Sequence, residues 1–258
     1  MAKEVVSLCG AGPIFDSLTR PITILVGHFG SGKTEIAVNL ALGWRHRGTE
    51  VSLVDLDLVK PYFRCRLAKG DLEARGIRLI VPAGDRFYAD LPILIPEARA
   101  VAGSSAWRKD RVIFDVGGDS LGARVLGSLS GLLDPAATDL LFVVNANRPF
   151  AEDLASLRRM LDAVQAAARF AVTGLVANTH LMEDTTLQIV REGIRVARQL
   201  EGATGIPLRF CAMLKTLVRG FGESGETAEA LPILAMERHI VAPFAAAPAG
   251  THRRSPGV

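Results

Sequence analysis

The sequence predicts a single α/β domain built on a doubly wound, mostly parallel sheet of seven or eight strands with helices on both faces. Seven short runs of apolar, largely β-branched residues recur at regular intervals, and segments with helical spacing separate them. The chain has 258 residues, of which 49% are apolar, so it can bury one large core. The predicted strands are 22–26, 51–55, 77–81, 112–116, 140–145, 172–177 and 208–213.

Apolar residues at steps of three and four predict the helices between these strands. In the first helix, Ile36, Leu40 and Trp44 form one apolar stripe that ends near Gly48. Similar stripes occupy 149–167, 185–201 and 226–241.

We expect the folded domain to cover residues 21–245. Residues 1–20 contain several glycines and turn formers, and we expect an N-terminal arm that is a strand, a lid or a loose segment. Residues 246–258 are rich in Ala, Pro, Gly and Arg, a composition typical of a disordered tail.

Charge and cysteine content exclude several classes of protein. The net charge is +3, and the basic residues form short scattered clusters typical of a solvated surface, so we expect no nucleic-acid partner. Cys9, Cys65 and Cys211 are far apart without a CxxC pair, which argues against a disulfide framework or a self-contained zinc site. No apolar run reaches the ~18 residues of a membrane span, and the first residues lack a signal-peptide pattern. We therefore expect a cytoplasmic protein without a membrane partner.

The strongest motif is GHFGSGKT, which begins at Gly27 and ends at Thr34, between a predicted strand and a predicted helix. It matches the G-x-x-x-x-G-K-[ST] loop in the structural context that this pattern requires. Gly27, Gly30 and Gly32 allow successive backbone N–H groups to face phosphate oxygens, and the helix dipole adds to the same site. We expect Lys33 to reach the β- and γ-phosphates and the Thr34 hydroxyl to bind Mg²⁺.

Two aspartates follow the second predicted strand, at the edge where a doubly wound sheet binds ligands. In one interpretation, Asp57 orients the attacking water, while Asp55 supports Mg²⁺ or a phosphate-bound water. In the other, both residues cap the strand or begin a turn.

The segment VIFDVGGD is an apolar strand that closes on Asp115. A carboxylate at the end of such a strand holds Mg²⁺ through its water shell in P-loop enzymes, so we interpret Asp115 as the Walker-B acid. Gly117 and Gly118 then allow the backbone to approach the γ-phosphate. Asp119 is also a candidate helix N-cap.

The base-binding residues are predicted less directly. The guanine signature NKxD is missing, because NANR at 145–148 has Ala and Arg where Lys and Asp are needed. Asn178 follows a predicted strand and offers an amide to an adenine edge, although it also suits a strand-end turn. We therefore expect ATP in preference to GTP.

Taken together, these residues resemble the ParA/MinD-type (CobQ/CobB/MinD/ParA) branch of P-loop ATPases over about 21–245. The resemblance implies a homodimer that closes on ATP, with Lys33 and Asp57 catalytic, Thr34, Asp55 and Asp115 around Mg²⁺, and Asn178 at the adenine. One departure is His28, which stands where that family carries a Lys that contacts the partner's nucleotide. The expected nucleotide-binding residues are Gly27, His28, Phe29, Gly30, Ser31, Gly32, Lys33, Thr34, Glu35 and Asn178.

Two further segments have alternative interpretations. KPYFRCR at 60–66 places aromatic and guanidinium groups beyond Asp57, which suits contact with a partner protein or a second subunit, or ordinary helix packing. RPF at 148–150 lies near the base, or begins a helix. The family's CxxC is missing, so we expect no iron–sulfur cluster, and Cys65 is the cysteine nearest the site.

The function expected from the sequence is a slowly hydrolysing Mg-ATP switch that acts on an unidentified client protein, for example in metalloenzyme maturation. An alternative is a small-molecule kinase or ligase, in which Asp85, Arg86, Tyr88 and Asp90 bind the acceptor. A second alternative is a DNA- or membrane-positioning ATPase. The C-terminal stripe, however, is better explained by core packing than by membrane binding.

Overall fold

The computed structural model describes residues 13–57, 65–81, 100, 110–118, 120–148, 153–223 and 231–240. The predictions made for 60–64, for the acceptor loop at 85–90, for Asp119 and for the tail at 246–258 lie outside these residues. None of the helices within the described ranges is both long and apolar enough to cross a bilayer.

The core of the fold is one sheet of eight parallel strands in the order β3-β2-β4-β1-β5-β6-β7-β8. Every neighbouring pair is parallel, and the central strands are buried along their whole length, as expected of a sheet covered on both faces. This confirms the predicted fold class. The strands are β1 (Ile22–Val26), β2 (Val51–Leu56), β3 (Ile77–Ile80), β4 (Arg111–Val116), β5 (Thr138–Val144), β6 (Gly174–Ala177), β7 (Leu208–Leu214) and β8 (Ile233–Met236).

Helices cover both faces of the sheet and form two separate apolar clusters with it. One cluster joins the sheet to α1, α2 and α3, and the other joins it to α4, α5, α6 and α7. The helices are α1 (Ile14–Ser17), α2 (Lys33–His46), α3 (Lys69–Ala74), α4 (Ser120–Leu129), α5 (Leu154–Ala168), α6 (Leu187–Thr204) and α7 (Lys215–Glu223). Short 3₁₀ helices occupy Cys65–Ala68, Ser130–Leu132 and Met182–Asp184.

The predicted helix at 226–241 is wrong, because part of this segment is the edge strand β8. Pro232 cannot continue a helix, and its carbonyl accepts a hydrogen bond from Cys211 N at 2.9 Å, which starts the pairing with β7. Leu234 and Met236 are buried while Ile233 and Ala235 are half-buried, so burial follows the strand period of two. The helical spacing of apolar residues was therefore coincidental.

Among the remaining elements, two segments differ most from the prediction. Helix α5 begins at Leu154 rather than at 149, because the Asp153 carboxylate caps it by accepting a hydrogen bond from Ser156 N at 2.6 Å. The described end of the N-terminal arm is neither a strand nor loose. It forms α1, and Ile14, Phe15 and Leu18 are buried against α2 and the sheet.

The contact between α1 and α2 gives a test of the packing. A Cβ at Gly43 in α2 would lie 2.1 Å from Cζ of the buried Phe15 ring, whereas a Cβ at Gly202 in α6 would meet nothing within 4 Å. We expect Gly43→Ala to lower the free energy of unfolding by ~1–3 kcal/mol through overpacking. Gly202→Ala should raise it by ~0.4–1 kcal/mol.

Denaturant unfolding of both variants checks this pair. The two substitutions share one chemical change in two helices, so helix propensity alone would stabilise both. A Gly43→Ala variant as stable as Gly202→Ala would contradict the close packing of α1 on α2.

Candidate nucleotide-binding site

The loop between β1 and α2 has the backbone conformation that the motif requires. Gly27, Gly30 and Gly32 have φ angles of 137°, 71° and 88°, a region that residues with a Cβ rarely adopt. At Gly32 the space is also closed, since a Cβ there would lie 2.2 Å from Asn178 Nδ2. Helix α2 begins directly after this residue, as predicted.

Side chains from the ends of β5 and β6 hold two successive carbonyl groups of this loop. Arg148 Nε donates to Gly30 O at 2.8 Å, and Asn178 Nδ2 donates to Ser31 O at 2.7 Å. The N–H group of each peptide unit points opposite to its carbonyl. These two contacts therefore fix the orientation of two successive peptide units, and the N–H group of Ser31 donates to His28 O at 3.2 Å.

His180 makes a second contact with the same loop. Its imidazole is hydrogen-bonded to the Gly30 backbone. Burial, and then the neighbouring guanidinium of Arg148, lower the pKa of His180 to about 4. The ring is therefore neutral near pH 7 and adds no positive charge to the site.

Lys33 lies over the loop with its ammonium group in contact with backbone. Its Nζ donates to Gly27 O at 3.1 Å and to His28 O at 2.9 Å, and the residue is 7% exposed. His28 Nδ1 is 2.8 Å from Phe29 O, so this imidazole is turned toward its own loop. Phe29 is 49% exposed at the tip of the loop.

A buried acidic cluster lies below the loop. The parallel pairing of β2 with β4 sets Asp55 beside Asp115, and both are almost fully buried. The Thr34 hydroxyl is hydrogen-bonded to Asp115. On the other side, Cys65 Sγ donates to Asp115 Oδ2 at 3.3 Å.

These neighbours set the protonation of Asp115. Burial, and then the charge of Asp55, raise the pKa of Asp115 to about 7, while Thr34 and Lys33 oppose the shift. Burial also raises the pKa of the Cys65 thiol, so Cys65 is a neutral hydrogen-bond donor near pH 7.

Asp55 and Asp57 have different positions. Asp57 N donates to Asp55 Oδ1 at 3.0 Å, so Asp55 supports the turn that begins after β2. The Asp57 side chain is half-buried and lines the cavity described below. The two interpretations made from the sequence, a turn that begins after β2 and a carboxylate that faces the ligand site, are thus compatible, because Asp55 supports the turn and Asp57 lines the cavity.

The segment that follows β4, at Gly117 and Gly118, touches the phosphate loop. A Cβ at Gly118 would lie 2.6 Å from Phe29 N, so the backbone at this position approaches the loop closer than any side chain permits. A change in the loop at Phe29 therefore requires the segment after Asp115 to move as well.

A cavity of about 410 Å³ opens beside the loop, within the size range of small-molecule sites. Its far wall, along the sheet from β1, is apolar and comes from the ends of β7 and β8. The described lining residues are Phe29, Gly30, Gly32, Lys33, Thr34, Glu35, Asp57, Val116, Gly118, Arg148, Asn178, Thr179, His180, Met182, Thr185, Val190, Ala212, Met213, Leu214, Met236, Arg238 and Ile240.

Glu35, a predicted nucleotide-binding residue that lines the cavity, also contacts the segment after β8. Its carboxylate accepts hydrogen bonds from His239 N and Ile240 N, and burial raises its pKa. One turn further along α2, Asn39 exchanges two hydrogen bonds of 2.9 Å with the backbone of Glu237. The segment after β8 is therefore tied to the helix that follows the phosphate loop.

The structure thus brings together Lys33, Thr34, Asp55, Asp57 and Asp115 around one loop and its cavity. The sequence analysis missed His180 and Arg238, and considered Arg148 only as a residue near the base. A signal was available for His180 and Arg148, because both lie within four residues of a buried strand end on the same edge of the sheet as the loop.

The described residues fit Mg²⁺ held chiefly by nucleotide and water. No group of three His, Cys, Asp or Glu side chains within the described ranges is arranged to hold a metal ion. Mg²⁺ typically keeps several waters and takes one or two protein oxygens beside substrate phosphates. The Thr34 hydroxyl and the Asp115 carboxylate next to it provide that kind of site.

Comparison with solved structures supports the fold. FtsY from Thermotoga maritima matches with 24% identity and a TM-score of 0.45, covering 75% of this chain and 62% of that one. Chloroplast FtsY from Physcomitrella patens matches with 20% identity and a TM-score of 0.50, covering 77% and 64%. FlhF complexed with GTP and Mg²⁺ matches with 14% identity and a TM-score of 0.46, covering 74% and 65%.

These likenesses establish one coarse conclusion. The chain has the fold of a P-loop nucleotide hydrolase. It spans less than two thirds of the length of these FtsY structures. No protein-family model and no curated protein matches the sequence.

The comparisons contradict the predicted place in the ParA/MinD branch. The matching structures include chloroplast FtsY, a GTPase of the signal-recognition-particle type, and this type is a different branch. With this correction the predicted role as an ATP-driven activator of a client protein is also wrong, and its kinase and positioning alternatives are set aside. The error has a physical origin, because the phosphate loop and the acidic strand ends serve the same phosphate chemistry in every P-loop branch.

The raised pKa of Asp115 gives a second test. Because its folded pKa lies above the ordinary value, the protonated carboxyl stabilises the fold at low pH, and this contribution is lost as pH rises through about 7. Without magnesium, we expect Asp115→Asn to be more stable than the wild type at pH 8 by ~1–3 kcal/mol, with a smaller difference at pH 5.

Urea unfolding at the two pH values, in the presence of a chelator, measures this difference. Asp57→Asn makes the same chemical change at a half-buried position and is the control for loss of a carboxylate near the site. Equal pH dependence in the wild type and in Asp115→Asn would show that the Asp115 carboxyl does not titrate in this range.

Proposed function

We propose that the chain is a magnesium-dependent nucleoside triphosphatase that binds the triphosphate on the loop from Gly27 to Thr34. The arrangement of Lys33, Thr34 and Asp115 supports this most strongly. The ammonium group lies over the loop, the Thr34 hydroxyl is next to it in sequence, and the hydroxyl is hydrogen-bonded to a carboxyl at the end of the adjacent strand. Bound Mg²⁺ would supply charge neutralisation at the β- and γ-phosphate oxygens.

Each residue has one part in this proposal. Lys33 exchanges its contacts with Gly27 O and His28 O for phosphate oxygens and stabilises the charge that develops on the leaving group. The Thr34 hydroxyl and the Asp115 carboxyl next to it would hold Mg²⁺ beside the phosphates.

Asp57 is the residue proposed to position the attacking water. Its side chain lines the cavity, while its backbone is fixed by the hydrogen bond from Asp57 N to Asp55 Oδ1. A carboxylate held in this way accepts a hydrogen bond from water and directs the oxygen lone pair toward the γ-phosphorus.

We assign the nucleotide base to the apolar wall of the cavity, which is formed by residues such as Met213, Leu214 and Met236. The earlier preference for ATP relied on Asn178, whose amide nitrogen donates to Ser31 O. Among the neighbours, FlhF was solved with GTP, and a nucleotide-binding protein from Archaeoglobus fulgidus was solved with ADP. Because apolar packing is non-directional, we expect ATP and GTP to compete within about tenfold.

A nucleotide-dependent homodimer, contact with another protein and a cytoplasmic location remain predictions. The exposed Phe29 beside the cavity supports a protein contact at this face, since an aromatic ring at a nucleotide-binding loop suits a partner. Sedimentation with and without a slowly hydrolysed triphosphate analogue tests the dimer, and a monomer under both conditions would reject it.

The catalytic assignment predicts two different phenotypes. Lys33→Ala should weaken binding of both triphosphates by ~2–4 kcal/mol, because a charge-assisted contact is lost. Asp57→Asn should bind Mg-nucleotide like the wild type, while hydrolysis falls by roughly 10²-fold, since the water loses its orienting group. Calorimetry and a phosphate-release assay measure the two effects.

Lys69→Ala, at an exposed position of α3, is the control for loss of a lysine charge and should match the wild type in both assays. Equal affinity of Lys33→Ala and Lys69→Ala would reject the loop assignment. A wild-type protein that binds but hydrolyses neither ATP nor GTP, alone or with added protein partners, would reject the triphosphatase.

A further inference from the structure

Arg148 follows the buried strand β5 and extends over the middle of the phosphate loop. Its Nε donates to Gly30 O at 2.8 Å, and its guanidinium carbon lies 3.1 Å from where a Cβ of Gly30 would be. The guanidinium group therefore lies close to the loop backbone at Gly30. The side chain also lines the cavity.

The rest of the guanidinium group is available to a ligand. Arginine has N–H donors on its terminal nitrogens in addition to Nε, in a fixed planar fork. Within the described ranges, Arg148 has no ion pair and no hydrogen bond from its terminal nitrogens. Arg238 lines the same cavity but is paired with Glu183, so its charge is already compensated.

The surroundings leave Arg148 as a fixed positive charge. His180, which contacts the same carbonyl, is neutral near pH 7 because burial and Arg148 lower its pKa. Phosphate oxygens are the ligand groups that best match a guanidinium fork, and the neighbouring loop is the part of the chain assigned to phosphates.

We propose that Arg148 is a further phosphate-binding residue, which anchors its Nε on Gly30 O and directs its terminal nitrogens to the phosphate chain held by the loop. This inference rests on the proposed nucleotide site. It gives the site a second cation in addition to Lys33. The two differ in kind, because the Lys33 ammonium is a point charge and the Arg148 guanidinium is a planar fork with its Nε held on the loop.

The test uses inorganic tripolyphosphate with Mg²⁺, a probe without base or ribose. Arg148→Gln should weaken its binding by about 10- to 100-fold, the scale of a charge-assisted contact. Arg148→Lys, which keeps the charge and loses the fork, should weaken it by only about 3- to 10-fold. Arg159→Gln is the matched control, because it removes the same charge from an exposed position of α5, and it should bind within about twofold of the wild type.

The outcomes separate the alternatives. Tripolyphosphate affinity of Arg148→Gln equal to that of Arg159→Gln overturns the proposal. So does a loss seen with ATP and GTP but not with tripolyphosphate, since Arg148 would then serve the base or the ribose. If Arg148→Gln fails to fold, Arg148→Lys decides, because wild-type affinity in a variant without the fork also overturns the proposal.

The same measurements distinguish this inference from the proposed function. A wild-type protein that binds tripolyphosphate but does not hydrolyse nucleotides would reject the triphosphatase and leave the Arg148 result valid. A wild-type protein that hydrolyses nucleotides, with no effect of Arg148→Gln on tripolyphosphate, would reject only Arg148.

Discussion

The orientation of the Gly30 and Ser31 carbonyl groups is the constraint on which the site depends. Their hydrogen bonds to Arg148 and Asn178, two side chains that line the cavity, hold these oxygens in fixed positions. A donor on each carbonyl oxygen lowers the repulsion that this oxygen would exert on a nearby phosphate. Because both donors follow strand ends, the order of β1, β5 and β6 in the sheet determines the shape of the loop.

The buried positions of Asp55 and Asp115 lower the stability of the fold. Their side-by-side positions follow from the register of β2 and β4, and burial disfavours two charges there. The fold compensates partly through Thr34, Cys65 and the charge of Lys33, all of which favour the ionised form of Asp115. The compensation is incomplete, since the pKa of Asp115 is still raised to about 7.

The sequence was sufficient to predict the parallel sheet, the phosphate loop and the acidic strand ends, because strand period, glycine spacing and strand-end position are local properties. It could not predict the contact of Arg148 with Gly30, which joins residues 118 positions apart. It also mistook β8 for a helix, since the partner that makes Ile233–Met236 a strand is β7 and not a neighbour in sequence. The predicted branch of P-loop proteins was wrong because the motifs used to assign it serve phosphate chemistry and are shared by all branches.

Because the unfavourable burial of the ionised Asp115 carboxylate is only partly offset, ligand binding is linked to the stability of the fold. A cation beside Thr34 would favour the ionised carboxyl and remove the cost of burying it, so part of the binding free energy appears as stabilisation of the native state. The gain extends beyond the loop, because Gly118 packs on Phe29, and Glu35 and Asn39 tie α2 to the segment after β8. The segments after β4 and β8 are therefore connected to the phosphate loop and the helix that follows it.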